Sequence, residues 1–376
     1  MDSSPSSKTH DRPASKTHTI SDIMRSATAV KRYATGISEL DRMLMGGFVS
    51  GQVVLLGAEP GFGKSTLCLS VIASMSSRFP TLYASGEESE QQIAQRAVRM
   101  HIDNDSIHIM STKSIDDVLA TADSLSARVV IVDSLQTMEA DGITGTQGGS
   151  AQSKEAAYRA TEWAKRTGSM MILVSQFTKG DEVAGSNMIA HIVDTILIGD
   201  SDDNSRLKFL RSRKNRFGRT DEVGVFVHED DGLKPVVDPS GYLIGDENAP
   251  VAGSALSIMR DGVRMLPVEI DALAVQSTYS NPQRQFSGMD SSRTKILVAA
   301  LSKYGDERMS SCDVFSSTIN GIRLTDPMTD LAVIAGMESS LLGIEPRGRT
   351  AWIGEVALTG MIRGRSMMEG VSYTHL

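Results

Sequence analysis

The sequence predicts an α/β fold built on a mostly parallel sheet, followed by a separate α+β unit, and three observations predict it. Short apolar runs alternate with longer amphipathic ones: "QVVLL", "STLCLSVIASM", "TLYA", "QQIAQRAVRM", "VVIVD", "AAYRATEWAKRT", "MMILVSQ" and "TILIG". Strands alternating with helices in this way build βαβ units and a parallel sheet. The Gly-rich "GAEPGFGKST" falls between the strand ending at Leu56 and an amphipathic helix, where a phosphate-binding loop belongs. Composition then breaks at "DENAPVAGSA", Asp246–Ala255, and runs of a different order follow.

The elements can be justified in order. Residues 1–28 are rich in Ser, Thr, Lys and His, repeat "SKTH", and hold almost nothing to bury, so a disordered tail is expected. Residues 29–245 carry the βα alternation and close on "GVFVHEDDGLKPVVDPSGYL", read as a hairpin and loop. Residues 246–370 hold strand-like "VRMLPVEIDALAVQ", helical "RTKILVAALSKY", strand-like "DVFSSTI", helical "TDLAVIAGMESSLL" and strand-like "TAWIGEVALTG". The last six residues, "VSYTHL" at 371–376, read as a non-native tail that cuts the second domain short, with a natural polar tail as the alternative.

At 376 residues with 40% hydrophobic side chains, the chain can bury two cores. Its net charge of -8 excludes a protein that coats a polyanion by bulk charge, so any such partner must meet a local patch. Two cysteines, Cys68 and Cys312, are too few for a disulfide framework or a four-ligand zinc site. No apolar run approaches the roughly 18 residues of a membrane span, and no signal peptide stands at the start, so a cytoplasmic protein with no membrane partner is expected.

The phosphate loop comprises Ala58, Glu59, Pro60, Gly61, Phe62, Gly63, Lys64, Ser65 and Thr66. Small residues let backbone N–H groups turn in around phosphates, and the helix N-terminus adds its positive end. Lys64 is placed to reach the β and γ phosphates of ATP and the Ser65 hydroxyl to ligate Mg²⁺. Ala58 replaces the first glycine of the strict pattern. Asp133, closing "RVVIVDS", is the second metal-side carboxylate. Of the adjacent Glu87 and Glu88 in "YASGEES", Glu87 is chosen to polarise the attacking water, a solvated acidic loop being the alternative. Gln176, at the tip of "MMILVSQFTK", is read as a γ-phosphate sensor or, equally, an exposed polar strand end.

"TGISELDRMLMGGF", "GAEPGFGKST", "YASGEES", "VDSLQT", "AGSNMIAHIVDT" and above all "KNRFG" ahead of "EVGVF" stand in order. With them the chain resembles the bacterial RadA (Sms) family of DNA repair proteins over about Ala29 to Gly364. The resemblance implies a RecA-like P-loop ATPase core and a Lon-protease-like domain, truncated here, assembled as a hexameric ring. It implies a DNA-dependent ATPase and helicase-like motor that works with a RecA-type recombinase. Its substrates would be single-stranded and branched DNA, where it promotes strand extension and branch migration. Carried onto this chain, Lys64, Ser65 and Asp133 take the nucleotide and metal positions, Glu87 the catalytic one, and Lys214 to Gly218 the family motif. Two departures stand out. The usual N-terminal four-cysteine zinc module is absent, so no zinc is expected, and Gln176 stands where the family commonly has His.

"RLKFLRSRKNRFGR" concentrates seven cations, Arg206, Lys208, Arg211, Arg213, Lys214, Arg216 and Arg219, in an acidic chain. Phosphates are met by Lys and Arg, on DNA and across subunit boundaries alike. Lys214 and Arg216 are assigned to the interface between ATP and DNA. The other five cations, with Asn215, Phe217 and Gly218, are candidate DNA contacts, against the alternative of a solvated basic edge strand. The segments Met138–Ala157 and Phe177–Asn187, the latter with Lys179, read as DNA loops. The competing functions are a RecA- or KaiC-like ATPase without translocation and an ATP-gated Lon-like protease or its scaffold. Met328 falls where the protease serine would be, and Thr329 is shifted by one, which argues against proteolysis.

Overall fold

The computed structural model describes residues 19–22, 31–143, 146, 149–176, 186–201, 206–244, 251–346 and 350–364. The expected tail at 1–28, apart from Thr19–Asp22, and the expected non-native end at 371–376 lie outside the described residues.

A small ribbon of β1 (Arg32–Tyr33) and β2 (Phe48–Val49) flanks the helix Ser38–Met43. The main sheet then takes β3 (Val53–Ala58), β4 (Thr81–Ser85), β5 (Ile107–Ser111), β6 (Val129–Asp133), β7 (Met170–Gln176), β8 (Thr195–Ser201), β9 (Leu207–Asn215), β10 (Val223–Glu229) and β11 (Gly232–Pro235). Their order is β11-β10-β9-β8-β3-β7-β6-β4-β5. Strands β3 to β8 run parallel, and β9 to β11 extend the edge antiparallel. Helices on both faces explain why β3, β4 and β6 are buried at every residue and read as unbroken apolar runs rather than alternating ones. Between β4 and β5 the helix Glu90–Arg99 starts in a capping box, in which the Ser89 hydroxyl accepts from the Gln92 N–H and the Gln92 side chain from the Ser89 N–H.

The second sheet has the order β12-β13-β15-β14, from β12 (Ser254–Asp261), β13 (Arg264–Gln276), β14 (Arg284–Ser287) and β15 (Cys312–Thr318). Alternation along β13 turns Leu266, Val268, Ile270, Ala272 and Ala274 inward to a core shared with the helices Ser291–Tyr304 and Asp330–Leu342. That core also takes Leu207 and Phe209 of β9 and Val223, Val225 and Val227 of β10, whose other faces pack Leu210 and Phe226 into the first core. The two sheets are thus joined through one pair of strands.

Two sequence expectations need correction. The Gly-rich polar segment Met138–Ala157 was expected to be a loop throughout. Instead the helix Ser150–Thr167 begins inside it and buries Gln152, Ser153, Ala156 and Ala157. Gln152 explains how so polar a stretch can pack: its side chain accepts from the Ala140 N–H at 2.7 Å and donates to the Ile143 carbonyl at 2.8 Å. "TAWIGEVALTG" was expected as a strand. It supplies only β16 (Glu355–Val356), paired with β17 (Ile362–Arg363), because Ala351 and Trp352 spend their backbone bonds on Leu256 of β12.

Candidate nucleotide site and basic turn

In a parallel sheet the carboxyl ends of the strands form the binding edge. Here that edge gathers the phosphate loop after β3, Glu87 after β4, Asp133 at the end of β6 and Gln176 at the end of β7. The loop turns through left-handed backbone at Gly61 (φ 80°) and Gly63 (φ 101°), conformations a side chain would strain. Phe62 between them is fully buried, so it anchors the loop by packing and offers phosphate only its backbone. Burying that ring contributes about 1.5–3 kcal/mol. The methyl of Ala58 fits because the strand opposite carries Gly199, where a Cβ would lie 2.7 Å from it.

Lys64 is buried and donates to the carbonyls of Ala58 at 2.8 Å and Glu59 at 2.9 Å. Burial lowers its pKa, opposed by Asp133 and Glu87. Asp133 is buried as well and accepts from the Tyr83 hydroxyl at 2.6 Å and from the Ser65 hydroxyl. Burial raises its pKa; those two hydrogen bonds pull it back, and Glu87 and Glu88 repel the charge. Phosphate oxygens beside Lys64 and a divalent cation beside Ser65 and Asp133 would each offset a burial penalty, so the residues fit Mg–ATP. The cation would supply charge neutralisation on the phosphates. Among the described residues, no group of three His, Cys, Asp or Glu is placed to hold a metal by itself.

The two glutamates differ in their partners. Glu88 is clamped by the two terminal guanidinium nitrogens of Arg96, at 2.5 and 2.7 Å. Glu87 is exposed at the cleft, accepts from Ser134 Oγ, and takes the Gln176 amide at 3.2 Å. Gln136 steadies this corner from the 3₁₀ turn Leu135–Thr137, donating to Ser175 Oγ at 2.6 Å and the Gln176 carbonyl at 3.1 Å. Tyr83, Ser134, Gln136 and Gly199 were missed by the sequence reading; nothing in a single chain marks them before the strand ends are brought together.

The basic stretch runs along β9 and turns at its end. Asn215 builds the turn: its side-chain oxygen accepts from the Phe217 N–H at 3.0 Å, and its amide donates to the carbonyls of Met43 (3.3 Å) and Arg219 (3.4 Å). Arg32 on β1 donates to the Phe217 carbonyl at 2.7 Å, and Lys165 lies 5.6 Å from the Phe217 ring centre. At Gly218 a Cβ would lie 2.4 Å from Met45 Cγ. These contacts explain the Asn, Phe and Gly of "KNRFG" as the frame of the turn. Of its cations, Lys214 donates to the carbonyls of Ala190 (2.5 Å) and Val193 (2.6 Å), where burial and Arg216 lower its pKa. Arg216 meets Asp194 at 3.3 Å and the His191 carbonyl at 3.1 Å.

The stretch is not the uncompensated run it is in sequence. Arg211 pairs with Asp261, Arg216 with Asp194 and Arg219 with Asp221. Arg206 and Arg213 are exposed and Lys208 half-buried, and none of the three pairs with another described carboxylate. Lys179 lies outside the described residues.

Fold and site together define a RecA-like P-loop ATPase. Residues 19–182 match the family described as AAA domain. Among solved structures the chain is similar to a KaiC-like protein of Pyrococcus horikoshii, with 18% identity and a TM-score of 0.47 over 55% of this chain and 100% of that one. It is also similar to a DnaB-like replicative helicase, with 17% identity and a TM-score of 0.49 over 57% of this chain and 64% of that one. Curated proteins give closer matches, each named DNA repair protein RadA. That of Pseudomonas aeruginosa is 38% identical over 90% of this chain and 75% of its own length. Those of Escherichia coli (36%, over 93% and 75%) and Mycobacterium tuberculosis (39%, over 88% and 69%) match similarly. The chain belongs to the RadA family of DNA repair proteins, as a DNA repair ATPase. Among the described residues, no helix is long and apolar enough to cross a membrane.

Proposed function

We propose that the chain is a DNA-stimulated ATPase motor acting on single-stranded and branched DNA, alongside a RecA-type recombinase, to extend strand exchange and branch migration. One relationship carries this reading. The phosphate loop leaves the carboxyl end of β3, whereas Arg216 bonds Asp194 beside Val53, the first residue of that strand. Five residues of extended chain, about 16 Å, separate the two. The basic turn therefore sits too far from the nucleotide of its own subunit to touch it, which favours service to a neighbour's γ phosphate in a closed ring, proposed as a hexamer. Arg206, just before β9, and Lys208 and Arg213 on it are the cations assigned to DNA phosphates, joined in this reading by Lys179.

In this reading residues 29–245 are the motor and 246–370 a Lon-protease-like scaffold. Met328 offers a thioether where a nucleophile would stand, and the buried Thr329 hydroxyl is spent on the Asp326 carbonyl at 2.8 Å, which supports scaffold over protease. The competing reading, an ATPase without translocation, draws on the ion pairs that already engage Arg211, Arg216 and Arg219. ATP turnover with and without single-stranded DNA, on a sample sized by light scattering, separates them. The motor predicts an oligomer with stimulated, salt-sensitive turnover; a monomer with unchanged turnover would refute it.

A further inference from the structure

Asp194, immediately before β8, is a buried carboxylate between two cations. Its Oδ2 accepts from the Val53 N–H at 3.0 Å and from Lys165 Nζ at 2.5 Å, and its Oδ1 from Arg216 Nη1 at 3.3 Å. Its backbone adds two bonds in the same directions: its N–H donates to the Val53 carbonyl at 3.1 Å, and its carbonyl accepts from the Arg216 N–H at 3.0 Å. Asp194 thus makes two bonds to the first residue of the phosphate-loop strand and two to Arg216. Val193, one residue earlier, is one of the two carbonyl partners of Lys214.

We propose that Asp194 is a positioning residue that fixes Arg216, and with it the basic turn, to the strand that carries the phosphate loop. The inference rests on the reading of that turn as the link between ATP and DNA. A guanidinium on a flexible stem serves a partner site only when its rotamers are restricted, and a buried charged acceptor restricts them more strongly than a carbonyl does. The strand between the two ends is unbroken and buried at every residue, which gives a displacement of the phosphate loop a direct route to the turn through Asp194. Lys165 has a different part: it meets Oδ2, not the Oδ1 that holds Arg216.

The test compares Asp194→Asn, Lys165→Met, the double variant and Arg216→Ala, each measured for fluorescent ADP binding, thermal midpoint, and turnover with and without single-stranded DNA. Asp194→Asn is expected to keep nucleotide affinity and to lose DNA stimulation by about tenfold, the scale of a typical coupling between sites. The double variant, which removes the cation left without its carboxylate, should regain thermal midpoint but not stimulation, and Lys165→Met alone should keep stimulation. Loss of nucleotide binding together with stimulation in Asp194→Asn would reduce Asp194 to a prop of the sheet and overturn the proposal. So would an equal loss of stimulation in Lys165→Met. Full stimulation in Asp194→Asn with loss in Arg216→Ala overturns the Asp194 proposal alone, whereas full stimulation in both overturns the reading of the basic turn.

Discussion

The side-chain amide of Gln176 donates to the Glu87 carboxylate at 3.2 Å, joining the end of β7 to the second residue after β4 across the mouth of the nucleotide site. A general base must be reachable by water and oriented by a neighbouring group, and Glu87 is exposed and held by Ser134 and Gln176. Glu88, one residue on, is instead committed to Arg96. Glu87→Gln is therefore expected to bind ATP normally and to lose turnover by about 10²–10⁴-fold, the usual worth of a positioned acid or base. Glu88→Gln should leave turnover near that of the parent and lower stability by about 0.2–1 kcal/mol, as for a partly exposed ion pair. Single-turnover hydrolysis and nucleotide titration on both variants check this, and the reverse pattern would exchange the roles of the two residues.

Tyr83 gives a pH-dependent test. Its hydroxyl is one of the donors that hold the Asp133 carboxyl down against burial. Without nucleotide, the folded protein keeps a proton on Asp133 at pH values where the unfolded chain has lost it. Stability from this group therefore falls as pH rises from its ordinary value of 3.8 to its raised one. Tyr83→Phe removes a hydrogen bond to the charged form, raises the carboxyl further and widens that window upward. If ionised Asp133 is needed beside the metal, the acid limb of the turnover profile should move to higher pH in Tyr83→Phe, with the basic limb unchanged. An acid limb that stays in place would show that another group sets it.

Much of the ATPase core is legible because its signals are local. A phosphate loop needs left-handed glycines, a lysine and a hydroxyl within a few residues, and a buried parallel strand is a continuous apolar run. The strand Ile107–Ser111 and the helix Ile115–Ser124 were not singled out, since at this edge of the sheet β5 is only partly buried and mixes Ile107 and Ile109 with His108 and Ser111. What the sequence could not display is pairing between distant segments. Asp261 and Arg211 are fifty positions apart, and Tyr83 and Asp133 equally so. Charge counted along the chain therefore overstated the free basic surface.

Gly218 tests whether the turn is a frame. A methyl there would meet Met45 Cγ at 2.4 Å and the Asn215 amide nitrogen at 3.0 Å, so Met45 or the turn must shift. Gly218→Ala is expected to lower stability by about 1–3 kcal/mol, the range for overpacking. Because Asn215 carries the turn, DNA stimulation should weaken while ADP affinity holds. A variant with unchanged melting and unchanged stimulation would mean that the turn is not under steric control.

The sharpest expectation concerns Arg216 acting on a neighbouring subunit. Arg216 sits at the far end of β3 from its own phosphate loop, so Arg216→Ala should leave nucleotide binding intact, weaken DNA stimulation and abolish strand extension. A merely solvated basic edge predicts only a slight loss of DNA affinity, with a salt slope smaller by about one unit or less for the charge removed. Lys64→Ala should have no turnover of its own, since it lacks the cation at the β and γ phosphates. Mixed into one assembly, the two variants create some boundaries at which an intact phosphate loop faces an intact Arg216. Partial recovery of DNA-stimulated turnover in mixed assemblies is the expected result. No recovery in assemblies shown by native mass spectrometry to contain both variants would place the function of Arg216 within its own subunit.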